Sequence, residues 1–169
     1  MTTKGERYRV PFRRRGEGKT DYRYRLRLLK SGKPRVVVRR SNKNTRVQFV
    51  LYDRGGDKIL SSAVGNDLKK YGWEGGTGNM PASYLTGLLA GKRAIREGMK
   101  EGVLDIGHHE SVKGANVYGA LKGVLDAGVE IPHGENVMPG EDRLHGQHIS
   151  EEIPDKIKEI KEKIEAEYE

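Results

Sequence analysis

The apolar positions of this chain change period along its length, and each change marks an element. Arg35-Val36-Val37-Val38-Arg39 is a β-branched run bounded by the turn-forming groups Ser31-Gly32-Lys33-Pro34 and Ser41-Asn42-Lys43-Asn44, so a strand is expected there. Arg46 to Tyr52 and Lys58 to Val64 read as two more strands, joined by the hairpin turn Asp53-Arg54-Gly55-Gly56-Asp57. Together the three predict an antiparallel meander. The period then lengthens. Leu85, Leu88, Leu89, Ile95 and Met99 mark one face of a helix over about 81–100, with Pro81 in its first turn and Gly102 as its stop. Val103 to Ile106 predicts a short buried strand. Val117, Leu121, Val124 and Leu125 predict a second helix over about 115–127, stopped by Gly128, and Val129 to Pro132 a last short strand. Residues 133–150 show no clear period. From Ser150 a final amphipathic helix runs to about Tyr168, with Ile153, Ile157, Ile160 and Ile164 on one face and Lys and Glu elsewhere. That face either docks on the chain's own domain, docks on a neighbouring protein, or pairs as a short coiled coil; barely two heptads are present for the last.

Residues 1–19 have no hydrophobic period and are expected to form an extended arm that orders on a partner. Beyond them, Thr20 or Asp21 can cap a helix to about Lys30, which would align Tyr22, Leu26 and Leu29 on one face and leave the arginines on the others. The same stretch alternates from Tyr22 to Leu28, so a strand competes. The order of elements predicts an α/β fold: a mixed sheet of three antiparallel strands plus one or two more, covered by helices, with a basic N-terminal arm and a helical C-terminal extension. The expected divisions are 1–33 for the arm and its short helix, 34–132 for the core and 133–169 for the extension.

Charge changes this picture most. Residues 1–46 hold 17 of the 32 Lys and Arg against three acids, a balance of +14 that leaves −6 for the rest of a chain of net +8. Twelve of those 17 are Arg, which forks onto phosphate and stacks on bases where Lys acts more as a point charge. Such a segment repels itself and calls for a polyanion. Tyr8, Phe12, Tyr22 and Tyr24 are interleaved with these arginines, and aromatics beside Arg can stack unpaired bases. For Tyr22 and Tyr24, packing against the core is an equal alternative.

With no cysteine, disulfides and thiolate metal sites are excluded, and a reducing intracellular setting is expected. The first residues lack the apolar stretch of a secretory signal, and no apolar run reaches the length of a membrane span. Three chemical sites can be imagined. His108-His109-Glu110, or His145 with His148, offer metal ligands, but no complete set follows a recognised spacing. Asp53, Asp57, Asp67 and Asp105 offer a two-metal carboxylate cluster, which would make the chain a metal-dependent RNA-processing nuclease. The Gly-rich segment 72–79 precedes a helix, as phosphate loops do, but lacks their Gly-Lys-Ser/Thr ending. It is read instead as a flexible loop that lets backbone approach RNA. Trp73 is expected to cover the core rather than stack a base.

Longer runs carry a resemblance. Lys19 to Asn44, Asp67 to Arg93 (with Lys70-Tyr71-Gly72 and Tyr84-Leu85-Thr86-Gly87-Leu88-Leu89-Ala90), Leu121 to His133, and Arg143 to Ile149 together resemble the 5S rRNA-binding family of large-subunit ribosomal proteins, universal protein eighteen or eukaryotic protein five. The resemblance covers nearly the whole chain in order, and its length is similar to the archaeal form. It implies a non-enzymatic constituent of the large subunit, cytoplasmic, with no cofactor and no membrane. Its partners would be 5S rRNA, 23S rRNA and neighbouring large-subunit proteins, with the 5S particle placed in the central protuberance. It implies an RNA-binding surface of Arg7, Arg9, Arg13, Arg14, Arg15, Lys19, Tyr22, Arg23, Arg25, Arg27, Arg39, Arg40, Arg46 and the turn Ser41, Asn42, Lys43, Asn44.

Overall fold

The computed structural model describes residues 5–150 and 152–168. The expected arm over Met1 to Lys4 and the expected helix opening at Glu151 lie outside the described residues. Strands β1 (Arg35–Arg40), β2 (Thr45–Leu51), β3 (Lys58–Val64) and β4 (Val103–Asp105) form one sheet in the order β3-β2-β1-β4. The first three pair antiparallel, and β4 joins β1 in parallel. This is the mixed sheet expected from the sequence. Val129 to Pro132 adds no fifth strand; Glu130 makes only an isolated bridge to Glu101. Pro132 lacks the N–H needed to extend a ladder.

The helices are α1 (Arg13–Gly16), α2 (Tyr22–Leu29), α3 (Met80–Arg96), α4 (Asn116–Asp126), α5 (Glu141–Leu144) and α6 (Ile153–Tyr168), with 3-10 turns at Gly65–Tyr71 and Glu135–Val137. Residues 133–150, expected to be irregular, therefore contain two short helical turns. The arm is not wholly extended either, since Arg13–Gly16 makes one helical turn.

Helix α3 is the axis of the molecule. Asn79 caps it by accepting from the Ala82 N–H at 2.9 Å, and Pro81 occupies its first turn, where no N–H is required. From Met80 to Gly91 every residue is buried, because the sheet, α4 and α6 pack around it. The helix ends four residues earlier than its apolar pattern suggests. Gly98, at φ +82, reverses the chain, and the N–H groups of Gly98 and Met99 return to the carbonyls of Ile95 and Ala94. Gly98, not Gly102, is the stop. Ile95 is exposed and Ala94 takes the inward position.

Helix α4 crosses α3 at glycines. A Cβ on Gly87 would lie 2.0 Å from the Ala120 carbonyl oxygen, and one on Gly123 would lie 2.0 Å from the Tyr84 carbonyl oxygen. The two backbones therefore touch, closer than any side chain would permit. The spacing Gly87–Gly91 and Gly119–Gly123, four residues on each helix, is the visible trace of that crossing. Helix α6 buries Ile157, Ile160 and Ile164 and packs on α3, so its apolar stripe is satisfied within the chain. Trp73 is 3% exposed and joins the core, as expected, with its indole N–H donating to the Gly76 carbonyl.

Candidate nucleic-acid interface

Strand alternation sorts the sheet into two faces. Val36, Val38, Val47, Phe49 and Ala63 turn inward to the core. Arg39 and Arg46 lie directly opposite each other in the β1–β2 ladder, next to inward Val38 and Val47, and so share the outer face. Two like charges in register are unfavourable by themselves, and an external anion or an internal carboxylate must offset them. Arg39 has the carboxylate: its guanidinium donates to Asp105 Oδ1 at 2.9 Å and to the Asp105 carbonyl at 2.7 Å. Arg46 is exposed beside it.

At the end of this hairpin the Ser41–Asn44 turn is closed by its own groups. The Ser41 N–H donates to the Asn44 carbonyl at 2.8 Å, and the Asn44 N–H donates to Ser41 Oγ at 3.1 Å. The Gly-rich loop packs beneath it. The Thr77 hydroxyl donates to the Lys43 carbonyl, and a Cβ on Gly78 would lie 2.4 Å from the Asn42 carbonyl oxygen. Helix α4 adds an anchor, Asn116 Nδ2 donating to the Gly78 carbonyl at 2.9 Å. The end of the Gly-rich loop, Thr77 and Gly78, thus supports the turn, while Glu74, Gly75 and Gly76 stay exposed. Ser41, Asn42 and Lys43 remain exposed above it, and Asn44 is half-buried.

Helix α2 forms because Asp21 caps it, accepting from the N–H groups of Arg23 at 2.9 Å and Tyr24 at 3.1 Å. The Tyr24 N–H, set against a smaller burial cost, holds the Asp21 carboxyl below its ordinary pKa. Its inward side is only partly the one expected: Tyr22 and Leu29 are half-buried, but Leu26 is not. Leu26 is 58% exposed, while Tyr24, Arg25 and Leu28 are half-buried. The reason is an ion pair: Arg25 donates to Asp57 Oδ1 at 2.7 Å, turning that side of the helix to the body. Burial raises the Tyr24 pKa, and the Asp105 carboxylate raises it further. Phe12 packs on Tyr22 with ring centroids 5.4 Å apart, so the arm's aromatics contact each other.

Beneath α2 lies a chain of charges that local sequence patterns do not reveal. Arg35 is 4% exposed and bridges both carboxylates, donating to Asp57 Oδ2 at 2.6 Å and to Asp105 Oδ2 at 2.7 Å. Asp105, also 4% exposed, further accepts from the Gly107 N–H at 3.0 Å. Burial raises the Asp57 carboxyl, but the hydrogen bonds and charges of Arg25 and Arg35 outweigh it, and the net pKa is lowered. A cleft of about 450 Å³ opens over this network, lined in part by Arg14, Lys19, Tyr22, Tyr24 and His108.

The other residues expected in the surface differ in burial. Arg7, Arg9, Arg13, Arg14, Arg15, Lys19, Arg23, Arg27 and Arg40 are all exposed, and Tyr22 is half-buried. Arg14 donates to the Thr20 hydroxyl at 2.9 Å, tying the arm's helical turn to the start of α2.

The imagined metal sites come apart. Asp57 and Asp105 are engaged by guanidiniums, Asp53 by Lys58 at 2.7 Å, and Asp67 by Arg93 at 3.1 Å. His109 Nε2 accepts from the Arg40 N–H at 3.3 Å, and burial with the charges of Arg39 and Arg40 lowers its pKa, favouring the neutral ring that can accept. His145 Nε2 lies 3.3 Å from Glu141 Oε2. Among the described residues no three His, Asp or Glu gather as a metal-binding group.

The chain also resembles known proteins along most of its length. Residues 6–102 and 97–134 match the family described as ribosomal large subunit proteins 60S L5 and 50S L18. The chain is 50% identical to large ribosomal subunit protein uL18 of Methanococcoides burtonii, over 97% of this chain and 98% of that one. It is 48% identical to the protein of the same name from Natronomonas pharaonis, over 96% and 98% of the two chains. For that of Korarchaeum cryptofilum the identity is 55%, over 85% of this chain and 74% of the relative.

Proposed function

Because the chain belongs to the family of ribosomal large-subunit proteins 60S L5 and 50S L18, we propose that its basic face binds 5S ribosomal RNA and helps anchor it to 23S ribosomal RNA in the central protuberance. Membership makes it a structural constituent of the large ribosomal subunit, at work in translation in the cytoplasm, and not an enzyme. The choice of 5S rRNA is the finer step. The observation that carries it is the Ser41–Asn44 turn, rigidly supported by Thr77 and Gly78 and flanked by Arg39, Arg40 and Arg46.

The mechanism is assembly. Double-stranded RNA offers shape, phosphates and 2′-hydroxyls more than readable base edges. A turn held in one conformation is suited to select one RNA shape, and the exposed donors of Ser41, Asn42 and Lys43 suit that backbone. The arm, with Arg7, Arg9, Arg13, Arg14, Arg15 and Lys19, neutralises phosphates and releases counterions. Tyr22, Arg23, Arg25 and Arg27 on α2 join the two. The chain so divides into a basic arm (1–33), a core that presents the turn (34–132) and an extension (133–169) whose last helix lies on the core. Neighbouring large-subunit proteins complete its contacts.

Gel-shift titration against 5S rRNA and a length-matched structured RNA, at moderate salt, tests this. Preference for 5S rRNA is expected; equal affinities would overturn the assignment. The turn's part is tested separately by Gly78→Ala. Its new methyl meets the Asn42 backbone and displaces the turn, so affinity for 5S rRNA should fall by about three- to tenfold, on the order of 1 kcal/mol. The matched RNA should lose less.

A further inference from the structure

Two acidic residues sit at the centre of this basic face, where they are paired with arginines but reduce the positive field offered to RNA. Asp57 comes from the β2–β3 hairpin turn and Asp105 from the end of β4. Every carboxylate oxygen of the pair accepts from an arginine: Asp57 Oδ1 from Arg25, Asp57 Oδ2 and Asp105 Oδ2 from Arg35, and Asp105 Oδ1 from Arg39. The result is a continuous relay, Arg25–Asp57–Arg35–Asp105–Arg39, running from the arm helix across the sheet. Its middle member is buried, and the side chains of its end members are partly exposed, Arg39 at 44% and Arg25 at 29%. Gly107, at φ +63, lets the Arg39 guanidinium lie against the backbone, since a Cβ there would be 2.9 Å from its Cζ.

An arginine side chain loses rotamer freedom when it fixes on a phosphate. One already held has lost much of it before the RNA arrives: Arg25 gives one N–H to Asp57, and Arg39 gives three, to the carbonyls of Val38 and Asp105 and to Asp105 Oδ1, which leaves Nε and one Nη2 N–H of Arg39 for a phosphate. Arg25 also fixes the side of α2 that faces the sheet, and with it the direction in which Arg23 and Arg27 project.

We propose that Asp57 and Asp105 are positioning residues of the RNA face: acidic side chains that strengthen selective RNA binding by holding Arg25 and Arg39 in register between the arm and the sheet. The proposal rests on the assignment of 5S rRNA as the cognate ligand. It opposes the field effect, because removing a negative charge from a basic face should by itself tighten binding to any RNA.

The test is Asp57→Asn in the full chain, titrated by gel shift against 5S rRNA and the length-matched RNA. Affinity for 5S rRNA is expected to fall about five- to tenfold while that for the matched RNA holds or rises. Tighter binding to both, or an unchanged ratio, overturns the proposal. Loss of fold would lower both together, and a thermal melt identifies it. Should that variant not fold, Arg25→Met and Arg23→Met decide. Each removes one cation from the same helix, but only Arg25 joins the relay. Arg25→Met should cost more selectivity; equal losses overturn the proposal. If the wild-type chain shows no preference for 5S rRNA, the assignment fails instead, a result distinct from either variant outcome.

Discussion

Removal of residues 1–19 is expected to weaken binding to 5S rRNA by roughly a hundredfold or more near physiological salt, to flatten its salt dependence, and to leave the preference over a matched RNA in place. The segment carries seven Lys and Arg against two acids. Each phosphate neutralised contributes nearly one unit to the slope of log affinity against log salt. Six such contacts correspond to roughly a thousandfold change between 50 and 200 mM. The truncation leaves Asp21 to cap α2 and leaves Arg25 on Asp57, so the selective surface remains assembled. Titrations at several salt concentrations read affinity and slope together. Retained affinity with lost preference would reverse the roles given to arm and turn.

Gly123→Ala should destabilise the fold by about 1–3 kcal/mol or more, although alanine is the better helix former. The gain in propensity is about 1 kcal/mol. Against it stands a methyl 2.0 Å from the Tyr84 carbonyl oxygen and 2.7 Å from the Leu88 nitrogen. Both are backbone atoms of α3 and cannot rotate away. The two helices must separate, and α3 also carries the sheet and α6, so the disturbance reaches the core on every side. Denaturant unfolding of the two proteins measures the difference. A stabilised variant would mean that the helices do not meet at Gly123. Gly98→Ala, at a glycine with open space but φ +82, separates the two kinds of glycine constraint: any cost there comes from backbone strain, without a clash.

The carboxylates show where local reading fails. Asp57 and Asp105 attract attention in the sequence as possible metal ligands, because unpaired acids in number suggest chemistry. Their partners lie far along the chain: Arg25 is 32 residues from Asp57, and Arg35 is 70 from Asp105. No window of 11–18 residues contains either pair. The same long-range pairing misled the reading of α2 at one position, since Tyr22 and Leu29 are half-buried as expected. Leu26 is the better hydrophobe, yet Arg25 faces the body, because its charge-assisted hydrogen bond to Asp57 outweighs one leucine that remains in water. Tyr22 shows a milder case. The choice between stacking on a base and packing on the core omitted Phe12, ten residues away, against which it rests.

What the sequence determined by itself is whatever depends on neighbours along the chain. The strands follow from β-branched runs between turn residues, α3 from apolar spacing with Pro81 in its first turn, and α6 from isoleucines at helical intervals. The polyanion-binding character follows from charge count alone, and the family from several long motifs in order. Tertiary structure decided what depends on approach through space. It turned the end of the Gly-rich segment into a support for the Ser41–Asn44 turn, because Thr77 and Gly78 meet Lys43 and Asn42 only when the sheet and α3 are stacked. It brought α3 and α4 together at their glycines. It also gave the two acids to three arginines, since burial of Arg35 leaves an ion that only paired carboxylates can satisfy.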